Sequence, residues 1–367
     1  MAYRFLVASY TNEIVTLEFK PPSSGSAELS IVSSQEVGFH PSWITKSLAD
    51  PAVYYTGLEQ EDGRLLSLEC DSSTGQVKII GDVSSGGHSP CSILVVDNEV
   101  LVGNYMAGTV AVYAPDGKGR LEPAQSILKF SGTGPNPDRQ EGSHPHQAYA
   151  VDRGDHKEVL IPDLGADHIW RLKKNVSGVW EVAGSVSFDQ NLGGGPRHVV
   201  LYENILYTLL ELTSQLTAHT LPPLSSDAQP LKLLACSSTL LHPPASAPVA
   251  MLAAELLLAP PSASFPDAYL YASNRNDPHP EGDTIAIFKP YSSADPSLKL
   301  IAEVRTGLAH LRGMIFFGPD DRFLIAGGAL GGGVKVFERI ERGASLKEIA
   351  LLPVSMGDLK PTGFALL

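Results

Sequence analysis

Cysteine is scarce in this chain. Only Cys70, Cys91 and Cys236 occur among 367 residues. The number is odd and no two are closely spaced. That excludes a disulfide framework and a CxxC metal pair, and it points to a reducing compartment. Charge is sparse as well, at 18% of residues, and its balance is acidic, with a formal net charge of −13. Nucleic acid is therefore excluded as a partner. A small anion is not, because a local arginine cluster overrides the global sign. Long apolar runs are missing. The most apolar stretch, 245–261, is broken by Pro248, Glu255, Pro260 and Pro261, and it is too short to span a bilayer. The opening MAYRFLVASYTNEIVTLEF has too short an apolar core for a signal peptide and reads as two strands. Asn175-Val176-Ser177 spells a glycosylation sequon, which reads as chance in a chain without an export signal. The expectation is a cytoplasmic chain with no membrane contact.

Helical periodicity is also scarce. What is present is turn chemistry, with 34 Gly and 28 Pro, and short β-rich runs in pairs. Hairpins are expected at 52–70, 99–115, 158–174, 205–221, 268–290 and 322–339. Each follows a short apolar run that starts near a Pro, His or Gly: HPSWITKSL, HSPCSILVVD, HPHQAYAVD, GPRHVVLY, APVAMLAAEL and RGMIFFGP. Further strand-like runs such as GQVKIIGDV, GVWEVAGSV and LKLIAEV follow the hairpins. The unit is four strands in about 45 to 60 residues, the spacing of a propeller blade. Six units fit between His40 and Lys360. The N-terminus offers three more strands, and PTGFALL offers one. The prediction is an all-β, seven-bladed propeller with four-stranded blades, a single domain over 1–367, closed by both termini in one blade. Closure removes the exposed strand edges that an open array would leave.

In such a ring the inner strands line the axis, and the residues at their entries gather at its mouth. The entries here are polar: His40, His88, His144 with His146, Arg197 with His198, and His310 with Arg312. The hairpins add Asn104, Asp163, Glu211 and Asn274 with Arg275. Burying such a ring costs free energy unless the groups are paired or solvated. For His40, His88 and His198 a hydrogen bond to a neighbouring blade's carbonyl is an adequate account. Arg197 has a structural alternative as an ion-pair partner. Glu211, inside ILYTLLEL, is either paired with a buried arginine or set in a cavity, with a perturbed pKa in both cases. GGGPR and GALGGG lack the lysine-Ser/Thr ending of a phosphate loop and are assigned to tight turns.

In order and spacing, SHPHQA, PDLGADHIWRL, GGGPRHVV followed by LLEL, and YASNRND before TIAIF resemble the lactonase family of seven-bladed propellers. That family includes bacterial 6-phosphogluconolactonases and the fungal 3-carboxy-cis,cis-muconate lactonizing enzyme. The resemblance covers nearly the whole chain and is strongest from Gly142 to Phe288. It implies catalytic roles for His146, Arg197, Glu211 and Arg275. The HPH and GPRH forms are more like the general lactonase branch than the cyclase, which favours lactone hydrolysis.

Together these residues suggest metal-free and cofactor-free hydrolysis of a small sugar-derived or carboxylated lactone. Glu211 or His146, with a pKa near neutrality, would deprotonate water. Arg197 or Arg275 would stabilise the oxyanion, and the other would hold an anionic substituent. His144, Asn104, Asp163, Asn274 and His88 complete the expected substrate-binding set. Two alternatives stand beside this: cyclisation of an unsaturated dicarboxylate by the same axial residues, and a non-catalytic propeller whose surface loops, not its axial residues, carry function.

Overall fold

The computed structural model describes residues 2–22, 26–225, 227, 229–243, 246–353 and 358–367. Its strands form seven sheets arranged as blades. Blade 1 comprises Pro41–Lys46, Val53–Leu58, Arg64–Cys70 and Val77–Ser84, and blade 2 comprises Pro90–Val96, Glu99–Asn104, Thr109–Tyr113 and Ser126–Lys129. Blade 3 is Tyr149–Asp152, Lys157–Asp163, His168–Lys174 and Trp180–Ser187, and blade 4 is Pro196–Tyr202, Ile205–Leu210, Gln215–Thr220 and Lys232–Ser238. Blade 5 is Leu252–Ala259, Tyr269–Arg275, Thr284–Lys289 and Lys299–Arg305; blade 6 is Ala309–Phe317, Phe323–Gly331, Val334–Ile340 and Ser345–Leu352. Blade 7 pairs the C-terminal Pro361–Leu366 with Tyr3–Ser9, Glu13–Lys20 and Glu28–Glu36.

Burial sets the radial order. The second strands, such as Val53–Leu58 and Glu99–Asn104, carry buried residues on both faces, because each blade is packed between two others. The last strands, such as Glu28–Glu36 and Ser126–Lys129, are largely exposed and form the rim. The first strands of neighbouring blades touch all the way round, from Pro361–Leu366 through each blade in turn and back again. The ring is therefore closed.

The closing strand is in register with the N-terminal one, with Leu6 opposite Ala365 and Val7 opposite Phe364. At the seam between blades 6 and 7 an aromatic cluster of Phe5, Phe19, Phe317 and Phe323 is buried, with Phe5 and Phe317 edge-to-face at 4.8 Å. Edge-to-face pairs of this kind add about 0.5–1.5 kcal/mol beyond their buried area. On the other side Thr362 Oγ1 donates to the Ser42 carbonyl of blade 1 at 2.8 Å.

Three details depart from the sequence expectation. The inner strand of blade 3 begins at Tyr149, not at the histidines; Pro145 instead forms an isolated bridge with Asp163. Blade 3 also gains a fifth strand, Gln229–Pro230, parallel to Trp180–Ser187. The apolar stretch 245–261 supplies the inner strand Leu252–Ala259, and Ala245 lies outside the described residues. Among the described residues no helix is long and apolar enough to cross a membrane.

Candidate active site

The segment before blade 3 shapes one wall of the axial mouth. His146 N–H donates to the Pro162 carbonyl at 2.9 Å, and Leu164 N–H donates to the His144 carbonyl at 3.0 Å. The HPH run is thereby tied to the PDLGAD turn. Asp163 makes the tie rigid. Its carboxylate accepts from the His144 N–H at 2.6 Å, the Ala166 N–H at 3.0 Å, Trp170 Nε1 at 2.8 Å and Ser143 Oγ. Upstream, Gln140 is fully buried and donates Nε2 to the Leu164 carbonyl and to Asp167 Oδ1, at 2.9 and 2.7 Å. This anchors the loop that carries Arg139.

GGGPR shapes the neighbouring wall. Gly193 and Gly195 have positive φ and donate their N–H groups to the Asp167 carboxylate, at 2.5 and 2.9 Å. A Cβ on Gly195 would lie 2.8 Å from Leu212 Cγ. Only glycine fits both the left-handed backbone and this packing, and the turn delivers Arg197 to the axis.

Glu211, 3% exposed, is held by three guanidiniums. Arg139 Nη2 donates to Oε1 at 2.6 Å, while Arg197 Nε and Arg275 Nη2 lie 2.8 and 2.9 Å from Oε2. Burial pushes the carboxyl pKa up, but Arg275, Arg197 and Arg139 outweigh it and hold it at about 2. The expectation of a Glu211 base poised near neutrality is therefore corrected. An ionised carboxylate clamped by three cations is a weak proton acceptor, and its chemical effect is to fix the arginines.

His146 is placed differently. It is 5% exposed, its Nδ1 has no hydrogen-bond partner, and it faces the axial chamber. Burial and the guanidiniums of Arg197, Arg312 and Arg275 push its pKa well below the usual histidine value, so the ring is neutral. A neutral imidazole can accept a proton. His144 has a supporting position: it stacks on Tyr105 at 4.3 Å, and its ring nitrogens are engaged by the Tyr105 carbonyl and Glu141 Oε1, both at 3.0 Å.

The chamber has a volume of about 210 Å³, and Arg139, His146, Glu211 and Arg275 all line it. Arg197 lies behind Glu211 and lines a second void of about 10 Å³ further along the inner strands. Of the proposed substrate-binding residues, Asp163 is spent on the HPH tie. Asn104 Nδ2 donates to the Ser85 carbonyl and Thr109 Oγ1, and Asn274 Nδ2 donates to the Thr239 carbonyl and Thr284 Oγ1. These amides join parts of the scaffold. His88 is half-buried and lines neither cavity. His198 pairs with the Glu255 carboxylate at 2.6 Å, not with a carbonyl.

Five further chamber residues were not selected from the sequence: Tyr10, Glu59, Cys91, Tyr105 and Arg312. The repeat holds the signal for three of them. Tyr10, Glu59, Tyr105 and Glu211 each directly follow the second strand of their blade, so the position that exposes Glu211 exposes the other three. Arg312 lies in the inner strand Ala309–Phe317 and is itself one of the polar entries named from the sequence with His310, though not among the residues expected to act. Its guanidinium lies 5.1 Å from the Tyr10 ring centroid and has no carboxylate within 4.0 Å among the described residues. Burial works against its charge, but Tyr10, Glu59 and Glu211 raise its pKa. Burial holds the Tyr10 and Tyr105 phenols neutral at about 12. Four guanidiniums (Arg139, Arg197, Arg275 and Arg312) against three carboxylates (Glu59, Glu211 and Glu255) leave the axis cationic in an acidic chain. Among the described residues no three His, Cys, Asp or Glu side chains converge as a metal-ligand set.

Fold and site together define a closed seven-bladed propeller with a polar, arginine-lined axial chamber. The chain belongs to the Lactonase, 7-bladed beta-propeller family, whose model matches residues 4–355. It is 26% identical over 306 residues to a 6-phosphogluconolactonase of Bacillus subtilis strain 168, covering 82% of this chain and 80% of the relative. A 6-phosphogluconolactonase of Formosa agariphila is 26% identical over 287 residues, covering 76% and 75%. The structure of the periplasmic gluconolactonase of Pseudomonas aeruginosa superposes with a TM-score of 0.79 at 22% identity, covering 100% of this chain and 99% of that one. At that identity the likeness concerns the fold alone.

Proposed function

We propose that this chain hydrolyses a small lactone bearing an anionic substituent, at the axial chamber. The observation that carries the proposal is the pairing of a neutral, unpartnered His146 with guanidiniums locked in place by Glu211. Water attacks the ring carbonyl and His146 takes its proton. Arg275 and Arg312 face the developing oxyanion. The tetrahedral intermediate collapses, the ring oxygen leaves, and the imidazolium returns the proton to it. Arg139, half-exposed at the rim, holds the substrate's anionic group through the donors that Glu211 does not use. The chemistry draws on side chains alone. A chamber of about 210 Å³ suits one small ring, and the buried polar axis favours an enzyme over a loop-based interaction platform. The names of the curated relatives support a phosphorylated sugar lactone as the first substrate to test.

The experiment is a panel of sugar-derived, phosphorylated and muconolactone-like lactones, with acid release followed by a pH indicator against the spontaneous rate. Accelerated opening of one class supports the proposal and assigns the substrate. Acceleration of none rejects it.

A further inference from the structure

The groups used so far come from blades 3 to 6 and the loop before them. Glu59 stands across the axis. It follows Val53–Leu58 of blade 1, three places round the ring from the blade that carries Glu211. Its N–H donates to the His40 carbonyl at 2.9 Å, which fixes its backbone at the mouth. Its carboxylate has no cation within 4.0 Å among the described residues, in contrast with the three that clamp Glu211.

Four side chains line both the chamber and the smaller void beyond it: Glu59, Cys91, His146 and Arg312. They form the neck between the two. The void, at about 10 Å³, is close to the space of one water molecule. The hydrogen-bonding capacities at this neck are unequal. Arg312 can only donate. Burial pushes the Cys91 thiol pKa up, and its Sγ lies 3.6 Å from the Pro145 carbonyl, so it stays protonated. The acceptors are the Glu59 carboxylate and the His146 ring nitrogen. A water molecule has two hydrogens to give.

We propose that, given lactone opening at this site, Glu59 is a further catalytic residue that holds the attacking water at the neck together with His146. One hydrogen points to each acceptor, which directs an oxygen lone pair into the chamber. The water oxygen then forms its bond to the lactone carbon, and the carbonyl electron pair moves to the oxyanion. The proton that faces His146 moves to the ring. The carbon–oxygen ring bond breaks next, and that proton goes to the departing oxygen. Glu59 ends as it began, a carboxylate. Its charge also offsets the imidazolium, which would otherwise form among Arg197, Arg275 and Arg312.

The test uses the full chain and the lactone that wild type opens fastest. Glu59→Gln keeps the shape and removes the charge; Glu59→Ala removes both. We expect kcat to fall in the order wild type, Glu59→Gln, Glu59→Ala, by about 10²-fold for the last, with KM within about threefold of wild type. Hydroxylamine provides the separating measurement. It attacks lactones without prior deprotonation, so hydroxamate formation by both variants should stay near the wild-type rate. Equal loss of hydrolysis and hydroxylaminolysis would mean that Glu59 supports the site's structure or substrate binding, and would overturn the proposal. So would unchanged hydrolysis by a folded Glu59→Ala, which would leave lactone opening itself intact. A wild-type chain that opens no lactone rejects lactone opening and this inference together.

Discussion

Glu211 was legible as a perturbed carboxylate, because an acid inside ILYTLLEL must be paired or enclosed. The direction of the perturbation was not legible. It depends on Arg275, Arg197 and Arg139 together, which meet Glu211 only through the fold, Arg139 from 72 residues away in sequence. The consequence is measurable. Glu211→Gln leaves buried guanidiniums without their counter-charge, so it should lower stability by about 3–5 kcal/mol as well as activity; urea titration gives the first and kcat/KM the second. The pH dependence has a definite sign. The carboxyl pKa is held at about 2 in the folded state against an ordinary 4.5, so this stability is fully present above the ordinary value and is lost as pH falls toward 2. Acid titration of the wild type should show the loss, and Glu211→Gln should lack this component. The two histidines separate on the same scale. His146→Asn should reduce kcat by about 10²–10⁴-fold. In the wild type its protonation should set an acid limb of kcat/KM below pH 6.5, since its pKa is depressed and the neutral ring is the active form. His144→Asn should retain that limb, because its ring nitrogens serve the loop.

Among the elements, the loop before blade 3 does the most positioning. The sequence places both HPH histidines at an inner-strand entry; His146 lines the axial chamber, whereas His144 packs on Tyr105 and lines neither cavity. The strand itself starts at Tyr149, since Pro145 commits the preceding residues to a bridge with Asp163. Asn104, Asp163 and Asn274 show why a polar residue in a hairpin is ambiguous from sequence. A buried amide or carboxylate can serve its own scaffold as readily as a ligand, and its hydrogen-bond partners lie too far along the chain to infer. Gln140 presents the opposite case: an unremarked loop residue turns out to be fully buried and to pin Arg139. Gln140→Ala should therefore raise KM more than it lowers kcat, because it loosens a rim residue and leaves the neck alone. Steady-state kinetics on the preferred lactone would register the difference, and an unchanged KM would detach Arg139 from substrate binding.

At the scale of the molecule, the propeller was readable because each blade repeats the same burial order and turn chemistry. The closing blade was readable by subtraction, from three strands at one end and one at the other. The ring depends on that last strand, since Pro361–Leu366 contributes an inner strand and joins blades 6, 7 and 1. Deletion of 361–367 should lower Tm strongly; a truncated chain that melts with the wild type would mean the seam carries no load. Closure also explains how a chain with net charge −13 keeps a cationic axis, by gathering Arg139, Arg197, Arg275 and Arg312 from distant segments around one chamber. The central claim is that this chamber opens lactones with His146 as the proton acceptor. Acid release from the lactone panel by wild type and His146→Asn, side by side, tests it most directly. The expected result is opening of one lactone class well above the spontaneous rate by wild type, lost by about 10²-fold or more in the variant. Wild type that opens no lactone, or a folded His146→Asn that opens one at the wild-type rate, would contradict it.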